Sequence, residues 1–171
     1  MATPTGTLSL AQRWAEVVAD PALHDLPYKI ELNAWGKIEM TPASNRHGRL
    51  QARTASELNR QLTQGDAITE ASVLTDIGVS VPDVVWASAA FLQAHGEETP
   101  FTRAPEICVE IISPSNTEAE TREKVRAYLA AGAEEVWVIR EDGHVLFFDG
   151  AGGRAASRFP VRLELPPPVG D

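Results

Sequence analysis

The chain has 171 residues, a net charge of −9 and a single cysteine. This length suits one domain with a sizeable core, so we expect a single domain over residues 1–171. The lone cysteine excludes an internal disulfide, and the acidic balance argues against broad non-specific nucleic-acid binding. No segment approaches the ~20 apolar residues of a membrane span, and the first residues lack a signal-peptide pattern, so we expect a cytoplasmic protein with no membrane partner.

The N-terminal part predicts a short helix and a β-hairpin. Ser9 is placed as the N-cap of a helix that ends at Asp20-Pro21. Residues 28–33 and 37–40 alternate weakly between apolar and polar side chains, which is typical of two paired strands. Glu31 lies in the first of them. A carboxylate there is expected to face solvent more often than to reach a site, although it is a possible additional acid.

A longer helix is predicted over about residues 46–63, with His47 in its first turn. One side of this helix carries a stripe of arginines, nearly opposite its apolar side. Such a stripe is usually the solvated face, and the sharper interpretation is a set of phosphate contacts. The candidate nucleic-acid contacts are Arg46, Arg49 and Arg53.

Two apolar segments, 67–74 and 79–86, predict a second hairpin with its turn at 75–78. Pro82 removes a backbone donor from the second segment, so we expect an edge, a bend or a bulge there. Asp83 follows directly and places an acidic side chain inside an apolar segment.

Residues 107–112 form a short apolar segment rich in β-branched side chains, which predicts a strand buried on both faces. Glu110 lies within it, and an unpaired buried carboxylate is costly, so a partner or a metal is expected. Thr117 and Glu120 form a capping box that opens the following helix. Lys124 lies one turn after Glu120, and its ammonium group could return over the carboxyl end of the strand.

The C-terminal third predicts two further strands, 135–139 and 144–149, joined by an Asp-Gly turn. A short helix is expected earlier, over 87–96. Residues 151–153 are expected to be a flexible turn, and an edge strand is expected from Val161 onward. The tryptophans expected in the core or an interface, rather than as base-stacking platforms, are Trp35, Trp86 and Trp137.

If Asp83 and Glu110 lie close together, they form a negatively charged pocket, because two neighbouring carboxylates repel unless a cation or a shared proton offsets them. A hard divalent ion such as Mg²⁺ or Mn²⁺ suits all-oxygen ligands. It would lower the pKa of an attacking water and stabilise a leaving oxygen, while Lys124 would stabilise a phosphate in the transition state. The residues alone leave an equal alternative, in which each carboxylate ends a strand or pairs with an arginine.

The order Pro82-Asp83, then residues 110–115, then Lys124 resembles the Uma-type restriction endonuclease family, a branch of the PD-(D/E)xK nuclease superfamily. The similarity runs from about residue 21 to residue 148. It includes the segments 36–42 and 131–139.

The resemblance implies a restriction-endonuclease-like α/β (α+β) fold: a mixed central sheet flanked by helices, with an N-terminal helix and hairpin. Its core of helix, three strands, helix and strand matches the order derived above over about residues 46–139. The resemblance also implies that Asp83 and Glu110 bind the metal and that Lys124 is the catalytic cation. In the superfamily motif the lysine stands two residues after the second acid, where this chain has Ile112, but Uma-type sequences carry it on the following helix.

Three further residues are possible additions to the site. Glu31 is one, His47 matches a histidine usual in the family, and Glu120 stands where the family usually has aspartate. The leading hypothesis is a Mg²⁺- or Mn²⁺-dependent DNA endonuclease that works as a homodimer. The alternatives are a catalytically inactive nuclease-fold scaffold serving as a protein-interaction or regulatory module, which the acidic charge favours, and hydrolysis of RNA.

Overall fold

A computed structural model describes residues 8–169 as four helices and two β-sheets. The helices are α1 (Leu10–Ala19), α2 (Asn45–Gln61), α3 (Ala89–His95) and α4 (Glu118–Ala130). The strands are β1 (Tyr28–Asn33), β2 (Ile38–Pro42), β3 (Gly65–Thr69), β4 (Val73–Thr75), β5 (Gly78–Ser80), β6 (Val84–Ser88), β7 (Ile107–Ile112), β8 (Glu135–Arg140), β9 (Val145–Asp149) and β10 (Gly152–Arg154). Within this part of the chain, no helix is both long enough and apolar enough to cross a membrane.

The smaller sheet has the strand order β2-β1-β5-β4 and is antiparallel throughout. The predicted N-terminal helix and hairpin are confirmed as α1 and β1–β2. Trp14 and Val17 of α1 pack on Leu32 and Val79 of this sheet. Gly78 lets β5 approach β1 closely: its φ is +134°, and a Cβ there would lie 1.9 Å from the carbonyl oxygen of Leu32. The position therefore requires glycine.

The larger sheet has the order β10-β9-β8-β7-β6-β3. It is mixed, as predicted, because β7 and β8 are parallel while the other pairs are antiparallel. Strand β7 is central, and its alternate side chains enter two separate hydrophobic clusters. Val109 lies in the cluster under α2 with Leu50 and Trp137. Cys108 lies in the cluster under α3 and α4 with Tyr128.

The two segments of the predicted hairpin pair with each other as expected, but neither is a continuous strand, because each divides between the two sheets. β4 and β5 pair in the smaller sheet, whereas β3 and β6 pair in the larger one. Pro82 lies in the break between β5 and β6, where a bend was expected, and Glu70 turns the other segment with a φ of +55°. The chain therefore leaves the smaller sheet and enters the larger one immediately before Asp83.

The C-terminal segment is also corrected. Residues 152–154 form the edge strand β10 rather than a flexible turn, and residues 161–169 form no strand. From Phe159 to Leu165, every second side chain packs on the α2 side of the larger sheet. Gln61 of α2 holds this extended segment through its side-chain amide, which accepts from the Arg162 N–H and donates to the Arg162 carbonyl, both at 2.8 Å.

Candidate active site

A cleft of about 920 Å³ opens where the two sheets meet. Its walls come from the β1–β2 hairpin, the first turn of α2, the end of β7 and one side of α4. Carboxylates and ammonium groups lie at its base. The charged residues at the base are Lys29, Glu31, Asp83, Glu110 and Lys124, with His47 beside them.

Asp83 stands in the connection between β5 and β6 and is only 1% exposed. Its backbone N–H donates to the Val109 carbonyl at 2.9 Å, which fixes the residue against β7. Oδ2 accepts from the Ile111 N–H at 2.7 Å. Oδ1 faces the cleft, 3.2 Å from His47 Nε2 and 3.2 Å from Lys29 Nζ. One oxygen therefore fixes the carboxylate in place, while the other is directed into the site.

Glu110 enters the cleft from β7 and is 6% exposed. Its Oε1 accepts a hydrogen bond from the Tyr128 hydroxyl at 2.5 Å and lies 3.4 Å from Lys124 Nζ. Its Oε2 lies 3.5 Å from Lys29 Nζ. A partner was expected for this buried carboxylate, and the structure provides three: one hydroxyl and two ammonium groups. None of them is an arginine.

Lys124 extends from α4 over the end of β7, as its helical position predicted. Its Nζ lies 2.8 Å and 3.0 Å from the two carboxylate oxygens of Glu31. Glu31 also accepts from the Val81 N–H at 2.8 Å and is 8% exposed. The expectation that Glu31 faces solvent is therefore wrong, because β1 turns this side of its pleat toward α4.

Lys29 and Tyr128 were not predicted as site residues, although the sequence contained a signal for each. Lys29 precedes Glu31 by two residues and so lies on the same face of β1. Tyr128 follows Lys124 by four residues and so lies on the same side of α4. Each residue that shares a strand or helix face with a candidate acid or lysine is therefore itself a candidate for the site.

Opposing charges and burial shift the pKa values of these groups in different directions. Burial raises the pKa of the Glu110 carboxyl, although the Lys124 and Lys29 ammonium groups oppose this shift. Burial also acts to raise the pKa of Asp83, but the hydrogen bond with His47 and the charge of Lys29 outweigh it and bring the pKa below its usual range. Two neighbouring carboxyl groups with opposite shifts are characteristic of catalytic sites.

The two lysines remain charged. Burial acts to lower the pKa of each ammonium group, but the carboxylates overcome it: chiefly Glu110 and Asp83 for Lys29, and Glu110 and Glu31 for Lys124. Both pKa values therefore lie above the ordinary lysine value. The hydrogen bond to Asp83 likewise raises the pKa of His47.

Four of the other candidates lie outside the charged cluster at the base of the cleft, although Glu120 lines the cleft wall. Glu120 is exposed and accepts from the Thr117 N–H at 2.9 Å, which completes the predicted capping box. The Arg46 guanidinium donates to the carbonyls of Glu141, Pro166 and Pro167, so it joins α2 to the C-terminal segment. Arg49 and Arg53 are exposed on α2 and do not line the cleft. Of the two positions expected for Trp35, core or interface, the core is excluded, since the side chain is 82% exposed at the rim.

The oxygen atoms at the base of the cleft suit a hard cation. Asp83 Oδ1, Glu110 Oε2 and the Val81 carbonyl oxygen all face one point, the position of Lys29 Nζ, at 3.1–3.5 Å. Carboxylate and carbonyl oxygens are the ligands that Mg²⁺ and Mn²⁺ prefer. Across residues 8–169, no group of three or more His, Cys, Asp or Glu side chains is arranged to hold a metal ion. A metal at this point would therefore rely on two carboxylates and the backbone.

A family model described as "Uma2: Putative restriction endonuclease" matches residues 20–164. The chain belongs to this family. No curated protein matches the Uma2-family chain. A solved structure titled as a putative nuclease belonging to DUF820, from Anabaena variabilis ATCC 29413, matches it with a TM-score of 0.65 and 19% sequence identity, over 80% of this chain and 78% of that one. This likeness shows the restriction-endonuclease-like fold of the Uma2-family chain and confirms the predicted fold class.

Proposed function

We propose that this chain is a divalent-metal-dependent endonuclease that hydrolyses DNA phosphodiester bonds. The observation that supports the proposal is the convergence of Asp83, Glu110 and Lys124 in one cleft. In this proposal they are the two acids and the lysine of a PD-(D/E)xK site, with the lysine on the helix. Both sheets contribute to the site, so we further propose that residues 1–171 act as one domain.

Each side chain has a proposed role that follows from its contacts. Asp83 Oδ1 and Glu110 Oε2 are the proposed metal ligands, and a bound Mg²⁺ would lower the pKa of the attacking water and stabilise the leaving oxygen. Lys124 would place a positive charge beside the scissile phosphate. Glu31 holds the Lys124 ammonium in the cleft through two contacts of 2.8 Å and 3.0 Å.

The proposed DNA contacts outside the cleft are on α2. Arg49 and Arg53 are exposed on this helix, whose first turn carries His47. Their guanidinium groups are free to approach backbone phosphates, a sequence-independent interaction that orients a duplex. Arg46 is less suited to this role, because three backbone carbonyls already hold it.

The purified protein is expected to convert supercoiled plasmid DNA to nicked or linear forms in the presence of Mg²⁺ or Mn²⁺. EDTA should stop the reaction, because the carboxylates alone supply neither an activated water nor charge for the leaving oxygen. Gel electrophoresis measures the products, and parallel reactions with single-stranded DNA and RNA identify the substrate. Cleavage that persists in EDTA would contradict metal dependence, and cleavage confined to RNA would identify the substrate as RNA.

An inactive nuclease-fold scaffold is the second candidate, and two observations favour it. The net charge is −9, which opposes association with a polyanion. In addition, Lys29 places an ammonium group between the two proposed metal ligands. A scaffold should neither cleave any of the three nucleic acids nor bind Mn²⁺.

We also propose a homodimer, since cleavage of both strands of a duplex is readily achieved by two symmetric sites. Among the described strands β2 is at the edge of the smaller sheet, and the hairpin exposes Tyr28, Trp35 and Met40 at 45%, 82% and 44%. Light scattering after size-exclusion chromatography is expected to give twice the chain mass of 18.5 kDa. Trp35→Ser should shift the protein toward the monomer. A monomer for the unaltered protein at all concentrations would refute this proposal.

A further inference from the structure

Lys29 occupies the point at which the proposed metal ligands converge. Its Nζ lies 3.2 Å from Asp83 Oδ1 and 3.5 Å from Glu110 Oε2, and it donates to the Val81 carbonyl at 3.1 Å. A divalent cation would bind oxygens of this kind closer, at about 2.0–2.6 Å. An ammonium group and a divalent cation therefore cannot share this position.

The charges at the base of the cleft also indicate that Lys29 and a divalent cation compete for the same carboxylates. The chain has three lysines, and two of them, Lys29 and Lys124, lie here. Three carboxylates face these two ammonium groups, and His47 lies beside them. Displacement of Lys29 would take one positive charge away from the carboxylates, and a divalent cation would replace it. The carboxylates facing the ammonium groups are Glu31, Asp83 and Glu110.

We propose that Lys29 is a built-in competitor for the metal position: its ammonium group holds the Asp83 and Glu110 carboxylates together in the metal-free protein and must leave before a divalent cation binds. This inference rests on the proposed function, because it concerns the same metal. Lys29 is thus a positioning residue that sets the metal concentration at which the site fills. The displaced side chain remains attached to β1 and stays within the cleft.

The size of the effect follows from the population of the conformation that can accept a metal. If Lys29 is displaced in about 1–10% of molecules, a usual range for a minor state, the apparent Kd for the metal rises about 10- to 100-fold above its intrinsic value. Lys29→Met keeps an unbranched side chain of similar length and removes the charge. It is therefore expected to bind Mn²⁺ about 10- to 100-fold more tightly than the unaltered protein.

Calorimetric titration with Mn²⁺ alone, without nucleic acid, measures this difference. Lys37→Met is the matched control. Lys37 is exposed in the same hairpin, so this substitution makes the same chemical change outside the site. Its Kd is expected to equal that of the unaltered protein. Asp83→Asn combined with Lys29→Met should lose the binding, which assigns the heat to this site.

A second measurement requires no variant. Lysine acetylation followed by mass spectrometry compares the three lysines of the unaltered protein with and without Mn²⁺. Lys29 is buried among carboxylates in the metal-free protein and should react slowly, then faster when Mn²⁺ displaces it. Lys37 is the internal reference, and its rate should not change.

The outcomes separate this inference from the proposed function. Equal Mn²⁺ affinity for Lys29→Met and the unaltered protein, or a Lys29 acetylation rate that bound Mn²⁺ leaves unchanged, overturns the competitor role and leaves metal-dependent cleavage standing. Binding by Lys29→Met alone supports the competitor role and overturns metal-dependent catalysis by the natural sequence. Absence of binding by both proteins overturns the two proposals together.

Discussion

Glu110→Gln is expected to lower the rate of metal-dependent DNA cleavage at least about 10³-fold, which corresponds to ~4 kcal/mol of transition-state stabilisation. An amide carries no negative charge and is a weak ligand for a hard cation. Gln retains the shape of Glu and can still accept the Tyr128 hydrogen bond through its carbonyl oxygen. Its NH₂ group would then face Lys29, where Glu110 presents Oε2. Plasmid cleavage and Mn²⁺ titration measure the two expected losses.

The choice of Gln rather than Ala matters for this experiment. Removal of one partner from a buried ion pair costs about 3–5 kcal/mol, because the remaining charge is left buried. Both Glu110→Gln and Glu110→Ala remove the charge opposite Lys29 and Lys124, but Ala also leaves a cavity and an unpaired Tyr128 hydroxyl, so its inactivity could reflect unfolding. Glu118→Gln is the matched control, since Glu118 is a 79% exposed carboxylate that pairs with Arg122 on the surface. Wild-type cleavage by folded Glu110→Gln would refute the assignment of Glu110 as a metal ligand.

The local elements of this fold were predictable because their signals are short in range. Ser9 and Thr117 both cap helices as their sequence neighbours indicated. The alternating segment around Trp35 does form the β1–β2 hairpin. Each of these signals depends on residues a few positions apart, so no knowledge of the rest of the fold was needed.

Predictions that depended on distant partners were less successful. The segments on either side of Pro82 alternate like continuous strands, but which sheet each half joins depends on β1 and β7, which lie far away in sequence. The C-terminal segment also alternates from Phe159 onward. That alternation reflects side chains that pack across the face of the larger sheet. The backbone hydrogen bonds of Arg162 go to the Gln61 side-chain amide and not to a neighbouring strand. Periodicity reports which side chains are buried and does not identify the backbone partner.

The same limit explains the partial prediction of the site. Asp83 and Glu110 stood out because each interrupts an apolar segment, a property visible in the sequence alone. Lys29 and Glu31 did not, because a charged residue in an amphipathic strand is ordinary until another element covers that face. Here α4 covers it, and Lys124 makes the contact. Burial in an apolar segment therefore predicted the two acids, whereas Lys124 was predicted from its position on α4 and from the family pattern.

Lys124→Met is expected to lower cleavage about 10²- to 10³-fold while Mn²⁺ binding persists, the loss typical of removing one group that stabilises transition-state charge. Lys124 contacts the oxygen of Glu110 that is not the proposed metal ligand. Its Nζ contacts Glu31 at 2.8 Å and Glu110 Oε1 at 3.4 Å, whereas the cleft-facing Glu110 oxygen is Oε2. Met keeps an unbranched side chain and removes the ammonium group, together with its two hydrogen bonds to Glu31. Single-turnover cleavage and calorimetry on the same preparation measure the two properties.

Arg122→Met is the matched control, because Arg122 lies on the same helix with its side chain 77% exposed. Loss of the exposed Arg122–Glu118 pair should cost at most about 1 kcal/mol of stability and leave cleavage unchanged. Equal turnover by Lys124→Met and the unaltered protein would make Lys124 only a partner that neutralises Glu31. Loss of Mn²⁺ binding together with cleavage would instead mean that the Lys124 charge holds Glu110 in its metal-binding position. Retained binding with lost cleavage is the one result that makes Lys124 the catalytic cation.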